Sequence, residues 1–521
     1  MSNIGFRDSS IVIIESGRTF IRAGLGLHDL IHAPSIEIPA RVGIRPSPDL
    51  QNGLATPSTN KPQSRLGDNL DVQPSASTSR AASSVPQSQP IPAVRVTDYL
   101  VGKQLDEAIE AGQDLIISWP FAEGDIRDWI QVEALWKYVL FTSLQLRRVQ
   151  FESPVLLCLY PGLSRDACER VAQIFFERFN VAAFSILERP MAQLYAANAI
   201  SGVAVDINDT YTDVTPVYEG FPIHYARTSI LLGTHDCERF LAHLFRSNTS
   251  VMSSLSPPDA PLQGAALDDT LRALARQVWQ EGLVKVPSHG EGVREIEDEG
   301  VTDIAAVLVA GKEKAVIESG MKKRATAKAS AAEQARAREI EALDLVTVQF
   351  RGKELTLGKE RHRFCEPLFD PSLLAPIEGA EELQRRAKEG LLMPLHEAVG
   401  HAVGHAEVDI RQYIYGGLLV TGDITSHVKG IGPALQSRLS PYILSSPDQA
   451  NEVQPRVVRL VKVAEYFAEY REKGDGLAAF LGSSIVAKIT FHDPNGKNFV
   501  SKADYSERGP KAVLEMSPCL L

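Results

Sequence analysis

Two short stretches place an acidic residue at the end of an apolar run and follow it with a tight polar turn. Ile11–Ala23 contains Glu15, Ser16, Gly17 and Arg18; Val203–Val217 contains Asp206, Asn208, Asp209 and Thr210. This shared plan, strand, acidic end, turn and second strand, is a weak internal repeat. Facing hairpins of this kind can clamp the phosphate chain of a nucleotide and its metal. Backbone N–H groups hold the oxygens, and a carboxylate reaches the metal through water. Such turns need glycine, because only glycine lets the backbone approach a phosphate closely. Gly17 is the one glycine across both turns. On these residues alone, two unrelated β-hairpins are the better reading.

Other candidate chemistry is weaker. Glu397, His401 and His405 recur at i, i+4 spacing, so one helix face could present three metal ligands. The zinc-protease pattern is not met, and Gly400 and Gly404 weaken the helix, which makes an exposed polar face the expectation. Asp493-Pro-Asn495-Gly496-Lys497 puts a lysine where a calcium loop requires oxygen, so it reads as a turn. Lys312 follows Gly311 without the upstream glycine of a phosphate loop. The five cysteines, Cys158, Cys168, Cys237, Cys365 and Cys519, are never spaced C-x-x-C, which argues against a disulfide framework or a cysteine-rich zinc site.

The elements that must position these residues come from an ordinary globular composition, 44% hydrophobic and 23% charged over 521 residues. Length alone suggests about three to four domain-sized units. A net charge of −11 argues against a broad phosphate-binding surface. The first residues lack the apolar core of a signal peptide, and no apolar run approaches the roughly 18–20 residues that span a bilayer. No membrane role is expected. The stretch from Arg45 to Pro92 is rich in Ser, Pro, Gln and Asn and reads as a disordered insert. Further breaks fall at Ser247–Gln263 and from Pro287 to Gly300, and Gly320–Leu343 reads as an exposed helix with a basic start. Between them strands (Ser10–Glu15, Thr19–Ala23, Ala111–Trp119, Val155–Tyr160, Val203–Asp206) alternate with helical spacing such as Ser164–Asn180. The fold class is mixed α/β.

Long segments then resemble actin and the actin-related proteins. Asp98–Lys103 precedes Trp119-Pro-Phe-Ala-Glu-Gly-Asp-Ile-Arg-Asp-Trp129, which is similar to actin's Tyr-Pro-Ile-Glu-His-Gly-Ile-Val-Thr-Asn-Trp. Pro154–Tyr160, Ala172–Asn180, Leu194–Ala196, Val217–Phe221, Leu355–Arg363, Glu366–Leu374 and Phe480–Ile485 also resemble family wording. The block Ser501–Pro510 is the most specific, being similar to actin's Ser-Lys-x-Glu-Tyr-x-Glu-x-Gly-Pro in order and spacing, with Asp504 at the first glutamate. Gly417–Asp423 with His427–Gly430, and Glu452–Arg456, are similar to the fungal nuclear class of actin-related proteins numbered nine.

The departures from the family pattern fall in the nucleotide cleft. Where actin has Asp-Asn-Gly-Ser-Gly, this chain has Glu15-Ser16-Gly17-Arg18-Thr19, with a long side chain where a small residue meets the terminal phosphate. Actin's Asp-Ser-Gly-Asp-Gly becomes Asp206-Ile207-Asn208-Asp209-Thr210, and its Ser-Gly-Gly near the adenine becomes Thr421-Gly422-Asp423. The glutamine that positions the attacking water falls at Arg189, beside Glu188. Phosphoryl transfer depends on positioning phosphate, metal and water, so these losses together argue against hydrolysis. A degenerate nucleotide cleft of Glu15, Ser16, Gly17, Arg18, Asp206, Asn208, Asp209, Thr210, Gly422 and Asp423 is expected. No catalytic residue, metal or cofactor is expected, with ATP and magnesium kept as the minor reading.

The resemblance implies an actin-like fold of two related α/β lobes, each with an inserted subdomain. Residues 1–40, 95–200 and 465–521 would form the first lobe, with a largely disordered insert at 41–94. Residues 201–232 and 390–464 would form the second lobe. The second inserted subdomain would be 233–389, with flexible insertions at 247–263, 287–300 and 320–343. It further implies a nuclear scaffold subunit of a SWI/SNF-type chromatin remodeller. Its partners would be a second actin-related protein, the long helix ahead of the motor ATPase, and other remodeller subunits, with the nucleosome met only indirectly. The cleft at the base between the lobes, near Tyr195, Ala196 and Phe480–Ile485, would receive that helix through apolar anchors, unless these residues simply pack in the core. The alternatives are an actin-like ATP-binding protein and a dynactin-type capping subunit.

Overall fold

A computed structural model describes residues 6–27, 32–46, 94–256, 262, 264–287, 344–377, 385–386, 388–389, 391–443, 455–471, 474–493 and 496–517. The expected insert at Arg45–Pro92 falls almost wholly outside these residues, as do the stretch after Pro287 and the helix at Gly320–Leu343.

Two sheets organise the molecule. The first contains β1 (Val12–Ser16), β2 (Phe20–Leu25), β3 (Ile36–Pro39), β4 (Pro154–Leu159) and β5 (Ala183–Glu188). An edge strand, Val500–Ser501, lies beside β5, and the order runs from it through β5, β4, β1 and β2 to β3. β1, β4 and β5 are parallel, and β1, β4 and β5 are buried at every residue. That burial is the physical reason they read as continuous apolar runs instead of alternating ones. The second sheet pairs β6 (Gly202–Ile207) antiparallel with β7 (Thr212–Tyr218) and parallel with β8 (Leu418–Thr421).

Helices cover these sheets. α1 (Arg165–Gln173) starts at Ser164, whose Oγ accepts from Ala167 N at 3.1 Å, and continues as a π-helical turn over Ile174–Arg178. Ala167, Val171, Ile174, Phe175 and Phe179, the face expected from the sequence, are all buried. α2 (Arg189–Ala196) leaves β5 directly, with Pro190 in its first turn. α3 (Thr234–Ser247) packs with Ala265–Gln280 beside the second sheet. α4 (Thr249–Leu255) is capped by Asn248 and buries Val251 and Leu255. The expected flexible insertion at 247–263 therefore contains a packed helix; a Ser-rich stretch with two well-spaced apolar residues was enough to dock it. α5 (Leu395–His405) follows, then α6 (Asp423–His427) and α7 (Ala478–Phe491). α7 crosses α2 so closely that a Cβ on Gly482 would lie 1.7 Å from Ala192 O. Only glycine permits that approach.

The expected strand over Ala111–Trp119 shrinks to Ile116–Ser118, because Lys103–Glu110 is helical and Gly112 turns the chain at φ +67°. Apolar side chains beneath the second sheet form one large cluster that includes Val203, Phe240, Leu274 and Leu395. A separate cluster around Trp136, Phe175 and Phe184 lies against the first sheet. Among the described residues, no helix is long and apolar enough to cross a membrane.

Candidate functional site

The β1–β2 and β6–β7 hairpins face each other, and their registers place charge at matched positions. Glu15 pairs with Arg22 across the first hairpin, and Asp206 pairs with Asp213 across the second. All four side chains are buried, and so are Arg18 and Arg189. An isolated charge in such a setting is costly, so the pairing decides the structure.

Arg18 projects from the first turn into the space between the hairpins. Its Nε and Nη2 donate to Asp213 at 2.9–3.1 Å, and its Nη1 donates to Ala122 O at 2.8 Å. The guanidinium lies 4.8 Å from the Tyr160 ring centroid and 4.7 Å from that of Tyr211, distances at which cation–π attraction operates. Burial is the largest single influence and works against its charge, but Asp213, Tyr160 and Asp206 together outweigh it and raise the pKa. The backbone N–H of Arg18 donates to the Tyr160 hydroxyl at 2.7 Å. This first turn is thus closed by its own protein partners: Gly17 N–H donates to Phe20 O at 2.8 Å, and Ser16 Oγ accepts from Trp136 Nε1 at 3.0 Å.

Arg189, the first residue of α2, bridges the acidic ends of both hairpins. Its Nη1 is paired with Glu15, and its Nε donates to Asp206 Oδ2 at 2.5 Å. Gln193, one turn along α2, donates to the same Asp206 oxygen at 3.0 Å. Asp206 leads the coulombic causes that raise the Arg189 pKa against the opposing effect of burial. The second oxygens, Glu15 Oε2 and Asp206 Oδ1, are buried without a hydrogen-bond partner.

Arg22 makes the third connection. Nε donates to Glu37 Oε2 at 2.7 Å, Nη2 pairs with Asp423 at the start of α6, and Nη1 lies 3.6 Å from Glu15 Oε1. Gly422, at φ +111°, brings its Cα so near β6 that a Cβ would meet Ile207 O at 2.1 Å.

The second turn is also committed internally. Asn208 O accepts from Thr234 N at 3.0 Å and Asp209 O accepts from His235 N at 2.9 Å, so both carbonyls are used by the first turn of α3. Asn208 Oδ1 accepts from the Tyr160 hydroxyl at 3.4 Å. Burial raises the Asp209 pKa. Thr210 is exposed and makes no part of the cluster. Of the sequence candidates, Glu15, Gly17, Arg18, Asp206 and Asp423 meet at the centre; Ser16, Asn208, Asp209 and Gly422 support it. Sequence reasoning missed Arg22, Asp213, Tyr160 and Tyr211. The available signal was a charged residue in each second strand, four and three positions beyond Arg18 and Thr210.

Beside this cluster, burial pushes the Glu188 carboxyl up to about 7, against the lowering effects of the Gly162 N–H, 3.0 Å away, and of Arg227. Glu397, His401 and His405 are exposed on α5, and no group of three metal-ligating side chains occurs among the described residues. In the segment expected to meet a partner helix, Ala196, Phe480 and Leu481 are buried, Tyr195 and Ile485 are half-buried, and nearby Ile200 and Ile489 are exposed. The segment is therefore part core and part exposed surface.

A family model described as "Actin" matches residues 6–517, so the chain belongs to the actin family. Among curated proteins it is similar to the SWI/SNF and RSC complexes subunit arp9 of Schizosaccharomyces pombe (strain 972). The two are 24% identical over 98% of this chain and 99% of the relative.

Proposed function

We propose that this chain is a non-catalytic, nuclear scaffold subunit of a SWI/SNF-type chromatin-remodelling complex. It binds the helical segment ahead of the motor ATPase together with a second actin-related protein. The observation that carries the non-catalytic reading is Arg189 seated between Glu15 and Asp206. Those are the carboxylates a magnesium ion would need through its waters, and a guanidinium already supplies the positive charge there. Arg18 likewise fills space that a terminal phosphate would need and is tied to Asp213. The donor set therefore does not fit a magnesium–nucleotide pair: loading one would require Arg189 and Arg18 to give up their buried ion pairs. No cofactor is part of this reading, and no hydrolytic step is derived. End-to-end similarity to a relative named as a SWI/SNF and RSC subunit supports the placement in a remodeller.

Affinity purification of the tagged full chain from nuclear extract tests the assignment. Recovery of a remodelling ATPase and a second actin-related protein is expected. Recovery of dynactin subunits without a remodelling ATPase would overturn it.

A further inference from the structure

We infer that the buried arginine–carboxylate cluster is a built-in tie between the two lobes, which holds them together without any bound ligand. This rests on the reading above that the cleft is not run by nucleotide. Each of three arginines on the first-lobe side pairs with a carboxylate of the second lobe: Arg18 with Asp213, Arg189 with Asp206, and Arg22 with Asp423. Each is also anchored on its own side, to Ala122 O, Glu15 and Glu37 respectively. A bridge with two anchors resists both sliding and opening. A single surface pair would not, since it contributes at most about 1 kcal/mol and is screened by salt.

The tie continues into the helix pair beside it. Arg189 opens α2, and Tyr195 and Ala196 close it two turns later. α7 clamps that helix through Gly482, and it carries the half-buried Ile485 and the exposed Ile489 on its far portion. Displacing Arg189 would therefore disturb a helix that α7 also holds at Ala192. The loop ending at Gly124 is pinned as well. Its φ is +76°, and a Cβ there would lie 2.7 Å from Arg18 Nη2. The tie thus joins the two lobes through side chains of the chain itself and not through an exchangeable ligand.

Hydrogen exchange on the full purified chain tests this. Wild type is expected to show the same protection at 119–124, 202–218 and 189–196 with and without millimolar Mg-ATP. Arg18→Gln and Asp213→Asn should each raise exchange in all three segments by about tenfold or more, because sub-global opening now costs less. The exchanged pair R18D/D213R should recover much of the protection if the single variants fold poorly. Two results would overturn the tie: folded single variants whose exchange changes only at the substituted turn, or added protection of wild type by Mg-ATP. Because the isolated chain is measured, failure to recover a remodeller in the purification experiment leaves this result unaffected.

Discussion

Arg18 and Asp213 stand on hairpins of opposite lobes, and the guanidinium addresses both oxygens of the carboxylate, Nε to Oδ2 at 3.1 Å and Nη2 to Oδ1 at 3.0 Å. The forked geometry gives direction as well as charge. With Tyr160 and Tyr211 against the guanidinium, water has little access to either partner. The pair is therefore of the kind whose loss is felt through the whole fold.

Replacement of Arg18 by alanine leaves Asp213 buried with its main counter-charge gone. The expected loss of stability is roughly 3–5 kcal/mol, read as a lower urea midpoint at unchanged slope. A loss below about 1 kcal/mol would show that the pair behaves like an exposed one.

Removing both charges should be milder than removing either. In R18M/D213L the desolvation cost disappears with the attraction, and apolar replacement of a whole buried pair is commonly neutral or stabilising. A double-mutant cycle should return a coupling energy of about 2 kcal/mol or more. Additive single losses would contradict the pairing.

Gly124→Ala adds a methyl against Arg18 Nη2 and forces a side chain onto φ +76°. A destabilisation on the order of 1–3 kcal/mol is expected in thermal or urea unfolding. In an Arg18→Ala background the steric part should vanish and only the backbone part remain, so the two substitutions should be non-additive.

Glu188 gives a pH signature. Its carboxyl is raised from 4.5 to about 7 by burial, so the folded state holds a proton that the unfolded chain releases. Its contribution is full below pH 4.5 and is lost as pH rises toward about 7. Glu188→Gln should flatten the fall in stability across that window, measured as urea midpoints in a pH series. An unchanged slope would place the carboxyl in contact with water.

Much of the fold was legible because buried parallel strands leave continuous apolar runs, as in Pro154–Leu159, and because Ser164–Asn180 keeps its helical spacing through a π-helical turn. The α4 helix was missed because Ser-Pro-Pro beside it reads as a break, and nothing local announces that Val251 and Leu255 will find a core. At the cleft, Arg18 and Arg189 were visible as departures from the family pattern. Their partners were not: the register that sets Glu15 against Arg22 and Asp206 against Asp213 is a property of paired strands. The contact between the two hairpins spans 195 positions. Sequence spacing carries no information at that range, so the pairing of Arg18 with Asp213 appears only once the two hairpins face each other.

Titration of Mg-ATP into the purified full chain, with phosphate release followed on the same sample, tests most directly whether arginines have taken the place of metal and phosphate. No saturable heat into the millimolar range and no release above buffer are expected. Micromolar binding with measurable turnover would contradict it, because both would require Arg18 and Arg189 to leave the positions they hold between Asp213, Glu15 and Asp206.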